Sequence, residues 1–118
     1  MGMGASLVVL TQIEPTMTIL PLQTTIAAGK DKQVEPLFDG PRRKLTQITL
    51  RNSAVLDSHK AAMPITIQCV AGHGTLQAGE MSVELLPGVL VTIEPNVMHE
   101  IRALPAVSIL LTRFLDQK

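Results

Sequence analysis

From residue 45 to residue 114 the apolar positions recur mostly at spacing two, and helical spacing of three and four is hard to find. Glycine, proline or asparagine breaks the alternation every 8–12 residues or so, the rhythm of an all-β sandwich or barrel. The pattern predicts strands at 17–20 with 24–27, then at 45–50, 54–56, 65–71, 74–77, 81–85, 89–93, 99–102 and 107–114. The breaks between them, such as Phe38-Asp39-Gly40-Pro41, Gly72, Ala78-Gly79-Glu80 and Pro87-Gly88, supply a positive φ or a missing N–H where a strand must stop. Parity then assigns faces, because successive side chains of a strand point to opposite sides. Ile65, Ile67 and Cys69 share one face, as do Val89, Val91 and Ile93, whereas Gln68, Glu94 and Arg102 belong to the other.

A chain of 118 residues suits one domain, and at that size roughly two-thirds of the unfolded surface is expected to be buried. The first sixteen residues read as a loosely ordered arm and residues 17–118 as the single domain, with Asp116-Gln117-Lys118 as a frayed end. Ten basic and ten acidic residues cancel, so no overall field draws the protein to nucleic acid or to anionic lipid. The one basic cluster, Arg42-Arg43-Lys44, reads as a solvated turn entering a strand. A single cysteine excludes an internal disulfide framework and suits a reducing compartment, and no run of apolar residues is long enough for a membrane helix. Start Met1-Gly2-Met3-Gly4 carries no secretory n-region, so a cytoplasmic protein is expected.

Candidate chemistry lies in two apolar runs. His59 precedes the run that ends at Gly72, and His99 closes Pro87-Gly88-Val89-Leu90-Val91-Thr92-Ile93-Glu94-Pro95-Asn96-Val97-Met98-His99. The second run resembles the second conserved motif of the cupin superfamily, with Gly88, Asn96 and His99 at matching places. Asn96 stands where that motif has glycine, a tolerable exchange because asparagine tolerates the left-handed backbone. Glu94 replaces the motif's proline. Laid on the first cupin motif, the chain keeps His59 and the closing Gly72, while Ser53, Ala61 and Ile65 occupy its other marked places. The resemblance spans residues 53–111 and implies a jelly-roll β-barrel, a double-stranded β-helix, often paired into a homodimer. In that family the barrel mouth holds a metal on three histidines and a glutamate. Ala61 and Ile65 stand at two of those four places and have no lone pair to donate.

His59 and His99 are thus expected to meet inside the barrel, and two imidazoles fall short of the three protein ligands usual for catalytic zinc or the two-histidine, one-carboxylate set of non-haem iron. Asp57, two residues before His59, either completes such a set or caps a turn and orients the histidine. Cys69 either serves as a soft ligand once deprotonated or is a buried core residue. Glu100 is expected to point away, and His73, between Gly72 and Gly74, to be exposed where the hairpin leaves the mouth.

Three functions fit these residues. The first is a barrel that binds a small molecule or a divalent metal through a reduced two-histidine site. The second is a metal-dependent enzyme, an oxygenase or isomerase using Fe, Mn, Ni or Zn, and the third is a non-catalytic dimeric interaction module whose two-sided apolar strands must be covered. The metal-free epimerase branch of the resembling family relies on a tyrosine acid, and this chain has no tyrosine.

Overall fold

The seven strands of the protein form one continuous antiparallel sheet that folds over on itself. The structure is a computed structural model and describes residues 17–116; the arm expected over residues 1–16 lies outside them. In chain order the strands are β1 (Lys32–Asp39), β2 (Arg43–Leu50), β3 (Val55–His59), β4 (Ile65–Ala78), β5 (Met81–Leu85), β6 (Leu90–Ile93) and β7 (His99–Phe114). No helix occurs among the described residues, so none is long and apolar enough to cross a membrane.

Two long strands carry the architecture. The first half of β4 pairs with the second half of β7, from Ile65↔Arg113 to Gly72↔Val107, and the second half of β4 pairs with the first half of β7, from Gly74↔Ala103 to Ala78↔His99. β1, β2 and β6 extend the first ladder, and β3 and β5 extend the second. Inward side chains from both ladders, among them Ile67, Val107 and Ile109 from one and Leu76, Leu85 and Ile101 from the other, share one buried cluster. A single sheet can bring the same face of both halves together only by doubling over, which is the layered solution to burying an apolar face.

The fold-over lies at Gly72-His73-Gly74, where the register slips twice, between Cys69 and Ala71 and between Gly72 and Gly74. Such bulges bend a strand and sharpen its twist. Gly72 has φ 79°, and a Cβ there would overlap the carbonyl oxygen of Ala106, so this corner needs glycine. The sequence pattern therefore misplaces two ends: 65–71 and 74–77 are one strand, as are 99–102 and 107–114, across the cis Leu104–Pro105 peptide. His73 accordingly sits mid-strand rather than at a hairpin end, its side chain still 39% exposed and its Nε2 2.7 Å from Glu84.

Strands are absent at 17–20 and 24–27. That segment instead crosses the outer face of the sheet, where Gln47 grips it: the Gln23 N–H donates to Gln47 Oε1 at 3.0 Å, and Gln47 Nε2 donates to the Gln23 carbonyl at 2.8 Å. The buried Gln47 amide also donates to Ser108 Oγ at 2.8 Å, and Thr49 Oγ1 lies 2.9 Å from the same hydroxyl. Arg51 ties down the following turn through the carbonyls of Ala27 and Lys30. Alternation on both faces of β2 and β7 thus has two meanings, an apolar core inside and a satisfied polar layer outside. β1 escapes the sequence pattern because its residues, an edge strand with Pro36 and a bulge between Pro36 and Phe38, are almost all exposed.

Candidate functional site

Plain alternation from Leu56 would put Ser58, not His59, opposite His99. The ladder pairs Val55 with Arg102 and Leu56 with Ile101, then slips by one residue before pairing His59 with His99. That bulge turns His59 onto the inward face that β7 gives to His99, Ile101 and Ala103. The two rings meet with centroids 4.3 Å apart and planes tilted by 59°. Asn96, with φ 67°, adopts the left-handed conformation expected of it, and its N–H donates to the Ala61 carbonyl at 2.7 Å, tying the turn before His99 to the loop after His59.

Each imidazole is anchored by the backbone two residues before it. His59 Nδ1 lies 2.8 Å from the Asp57 carbonyl, and His99 Nδ1 lies 3.0 Å from the Val97 carbonyl. A carbonyl can only accept, so each Nδ1 carries a proton, and in the neutral ring each Nε2 keeps its lone pair. His99 is buried and His59 exposed. Burial, opposed by the Val97 carbonyl and aided by the neighbouring His59 charge, holds His99 below the ordinary imidazole value.

Both rings line a cavity of about 320 Å³ at one end of the barrel, walled by Ala61, Met63, Ile65, Leu111 and Phe114 and rimmed by Lys60 and Arg113. That volume sits at the lower end of the range of about 300–1,000 Å³ for small-molecule sites. Arg113 continues the inward parity of Ile109 and Leu111 to the end of β7, a signal present in the alternation of the sequence. A second cavity of about 260 Å³, lined by Leu76, Met81, Val83, Val91 and Ile93 with Glu94, carries no histidine.

Neither proposed third ligand joins the pair. Asp57 is exposed and serves His59 through its backbone carbonyl, the orienting alternative, and the bulge removes the shared face that regular extension would provide. Cys69 is 1% exposed in the core cluster, its thiol 3.5 Å from the Ala71 carbonyl, and burial pushes that thiol up, away from the thiolate a metal needs. Among the described residues no group of three His, Cys, Asp or Glu side chains could hold a metal ion. Two imidazoles alone do not fit the three-histidine, one-glutamate centre that the family resemblance implies, nor a three-ligand zinc or iron site.

The sequence matches no family model and no curated protein. In shape the chain is similar to a cupin superfamily protein from Desulfitobacterium hafniense DCB-2, with a TM-score of 0.74 and 14% identity over 86% of this chain and 94% of that one. It is similar also to an RmlC-like cupin protein from Desulfovibrio desulfuricans, with a TM-score of 0.71 and 17% identity over 84% of this chain and 97% of the other. A third likeness is to salicylate 1,2-dioxygenase from Pseudoaminobacter salicylatoxidans, in adducts with gentisate, with a TM-score of 0.68 and 10% identity over 75% of this chain but 26% of that one. The chain therefore has the fold of a small cupin domain, an all-β double-stranded β-helix. At these identities the likeness carries the fold alone.

Proposed function

We propose that this protein binds a small organic molecule in the cavity at the barrel mouth, with His59 and His99 as its polar end. One observation carries the reading: two adjacent imidazoles, each fixed through Nδ1 on a backbone carbonyl and so keeping an Nε2 lone pair when neutral, stand in the lining of a largely apolar cavity. A few placed polar groups in an apolar hollow is the usual composition of a ligand site. Paired acceptors suit a ligand that brings O–H or N–H donors. A homodimer belongs to the same proposal, since β1 and β5 end the strand order and leave ladder edges for a second copy.

The metal-dependent alternative keeps the same histidines but needs donors from outside the chain. Ligand titration followed by the histidine ring resonances separates the two, carried out first in EDTA and then with Zn²⁺, Ni²⁺, Mn²⁺ or Fe²⁺. Binding in EDTA that weakens in both His59→Ala and His99→Ala supports the small-molecule reading. Ligands that bind only after metal is added, with one ion held per chain through gel filtration, would replace it by the metal-dependent one.

A further inference from the structure

The cavity at the barrel mouth has a one-sided charge. Its rim carries Arg113 and Lys60, and among the described residues no aspartate or glutamate lines it. The ion pairs formed among the described residues are Lys44 with Asp39, His73 with Glu84, and Arg102 with Glu100, so neither rim cation is matched by an acid among the described residues. The second cavity shows the reverse, with Glu94 and no cation in its lining. Surface cations are commonly just solvated. Here, however, Arg113 shares the inward parity of Leu111 and stands beside Ile65 across the ladder, so it lines the same largely apolar hollow as the two imidazoles.

We propose that this cavity selects small organic acids bearing a hydroxyl: the carboxylate pairs with Arg113, assisted by Lys60, the apolar body lies against Met63, Ile65 and Leu111, and the hydroxyl donates to the imidazole pair. The proposal rests on the reading of the cavity as a ligand site and adds the class of ligand. A guanidinium takes a carboxylate through two parallel N–H···O bonds, which fixes direction as well as charge. The apolar walls cover part of the ligand's body and leave the charged end at the rim, where it keeps its hydration in part.

The test compares four molecules of nearly one size: 5-hydroxyvalerate, valerate, valeramide and pentylamine, each titrated into the full chain in EDTA and followed by amide and histidine NMR shifts. The expected order is hydroxy acid, then acid, then amide, with the amine weakest. Arg113→Gln is expected to weaken the two acids about tenfold, the size of one charge-assisted hydrogen-bonded contact. The amide should stay within about twofold, and Arg113→Lys should recover part of the loss, since it keeps charge without the fork. Because Arg113 is exposed, an unchanged amide spectrum elsewhere in the chain checks that the variant folds. An amide that binds as well as the acid, or acids indifferent to Arg113→Gln, would overturn the acid selectivity and leave the small-molecule reading standing. Inorganic phosphate matching the acids would overturn it as well, by showing a bare anion site. If none of the four binds, both readings fall.

Discussion

His59 and His99 face each other across the β3–β7 ladder only because β3 carries one residue more than the strand it pairs with. The contact is unequal. His99 is 2% exposed and built into the core side of β7, whereas His59 stands at the open end of a short strand. His99→Ala should therefore cost about 1–3 kcal/mol of stability, through lost packing and a lost hydrogen bond, while His59→Ala should stay within about 0.5 kcal/mol. Urea denaturation of the two variants measures the difference, and equal losses would contradict the asymmetry.

Acid should loosen the fold through His99. Its folded-state pKa lies below its unfolded value, because burial disfavours the imidazolium. The unfolded chain therefore binds the extra proton first, so stability is whole above the unfolded value of about 6.5 and declines as pH falls from there towards the folded value. His99→Gln should flatten that decline. Cys69 acts at the other end: its thiol is raised by burial, so its contribution is whole below the unfolded value and declines as pH rises above it. Urea midpoints measured across the acid limb for wild type and His99→Gln, and across the alkaline limb for wild type and Cys69→Ala, check both signs.

At the corner of β4, Gly72→Ala should destabilise by about 2–4 kcal/mol, combining a left-handed backbone with overlap on the Ala106 carbonyl. Gly79→Ala offers the comparison, because its φ is 59° yet nothing lies within 4 Å of the added Cβ. Only the conformational cost of about 1 kcal/mol should appear there. Thermal unfolding of both variants decides whether the overlap is real.

Gln47→Leu should free the covering segment. It would leave the Gln23 N–H and carbonyl without their partners, at a cost of about 1–3 kcal/mol. Amide hydrogen exchange over residues 17–31 should accelerate before exchange in β4 or β7 does. Unchanged protection of that segment would mean that Arg51, not Gln47, holds it.

The barrel and both histidines were legible in the alternation and in the glycine, asparagine and histidine spacing, because an inward face of Ile, Val and Leu at every second position admits few other folds. Asn96 was readable for the same reason, its left-handed φ being a property that residue type supports. What stayed hidden depends on register. The bulge before His59 has no signature in its residues, and it is what removes Asp57 from the site. β1 is nearly all exposed and carries no apolar period, and residues 17–31 have apolar content but are pinned by side chains distant in sequence. Arg113 was legible by parity, yet its meaning depends on which residues face it across the cavity mouth.

β4 and β7 each run through both layers, so neither half of the barrel is built without the strands of the other. A sheet shared in this way cannot shed one layer and keep the other, because the peptide that begins β4 in one ladder ends it in the other. Unfolding of the described region should accordingly be a single all-or-none event, with calorimetric and van't Hoff enthalpies in agreement, and a ligand seated at the mouth should raise the melting temperature of the far corner as much as that of its own walls.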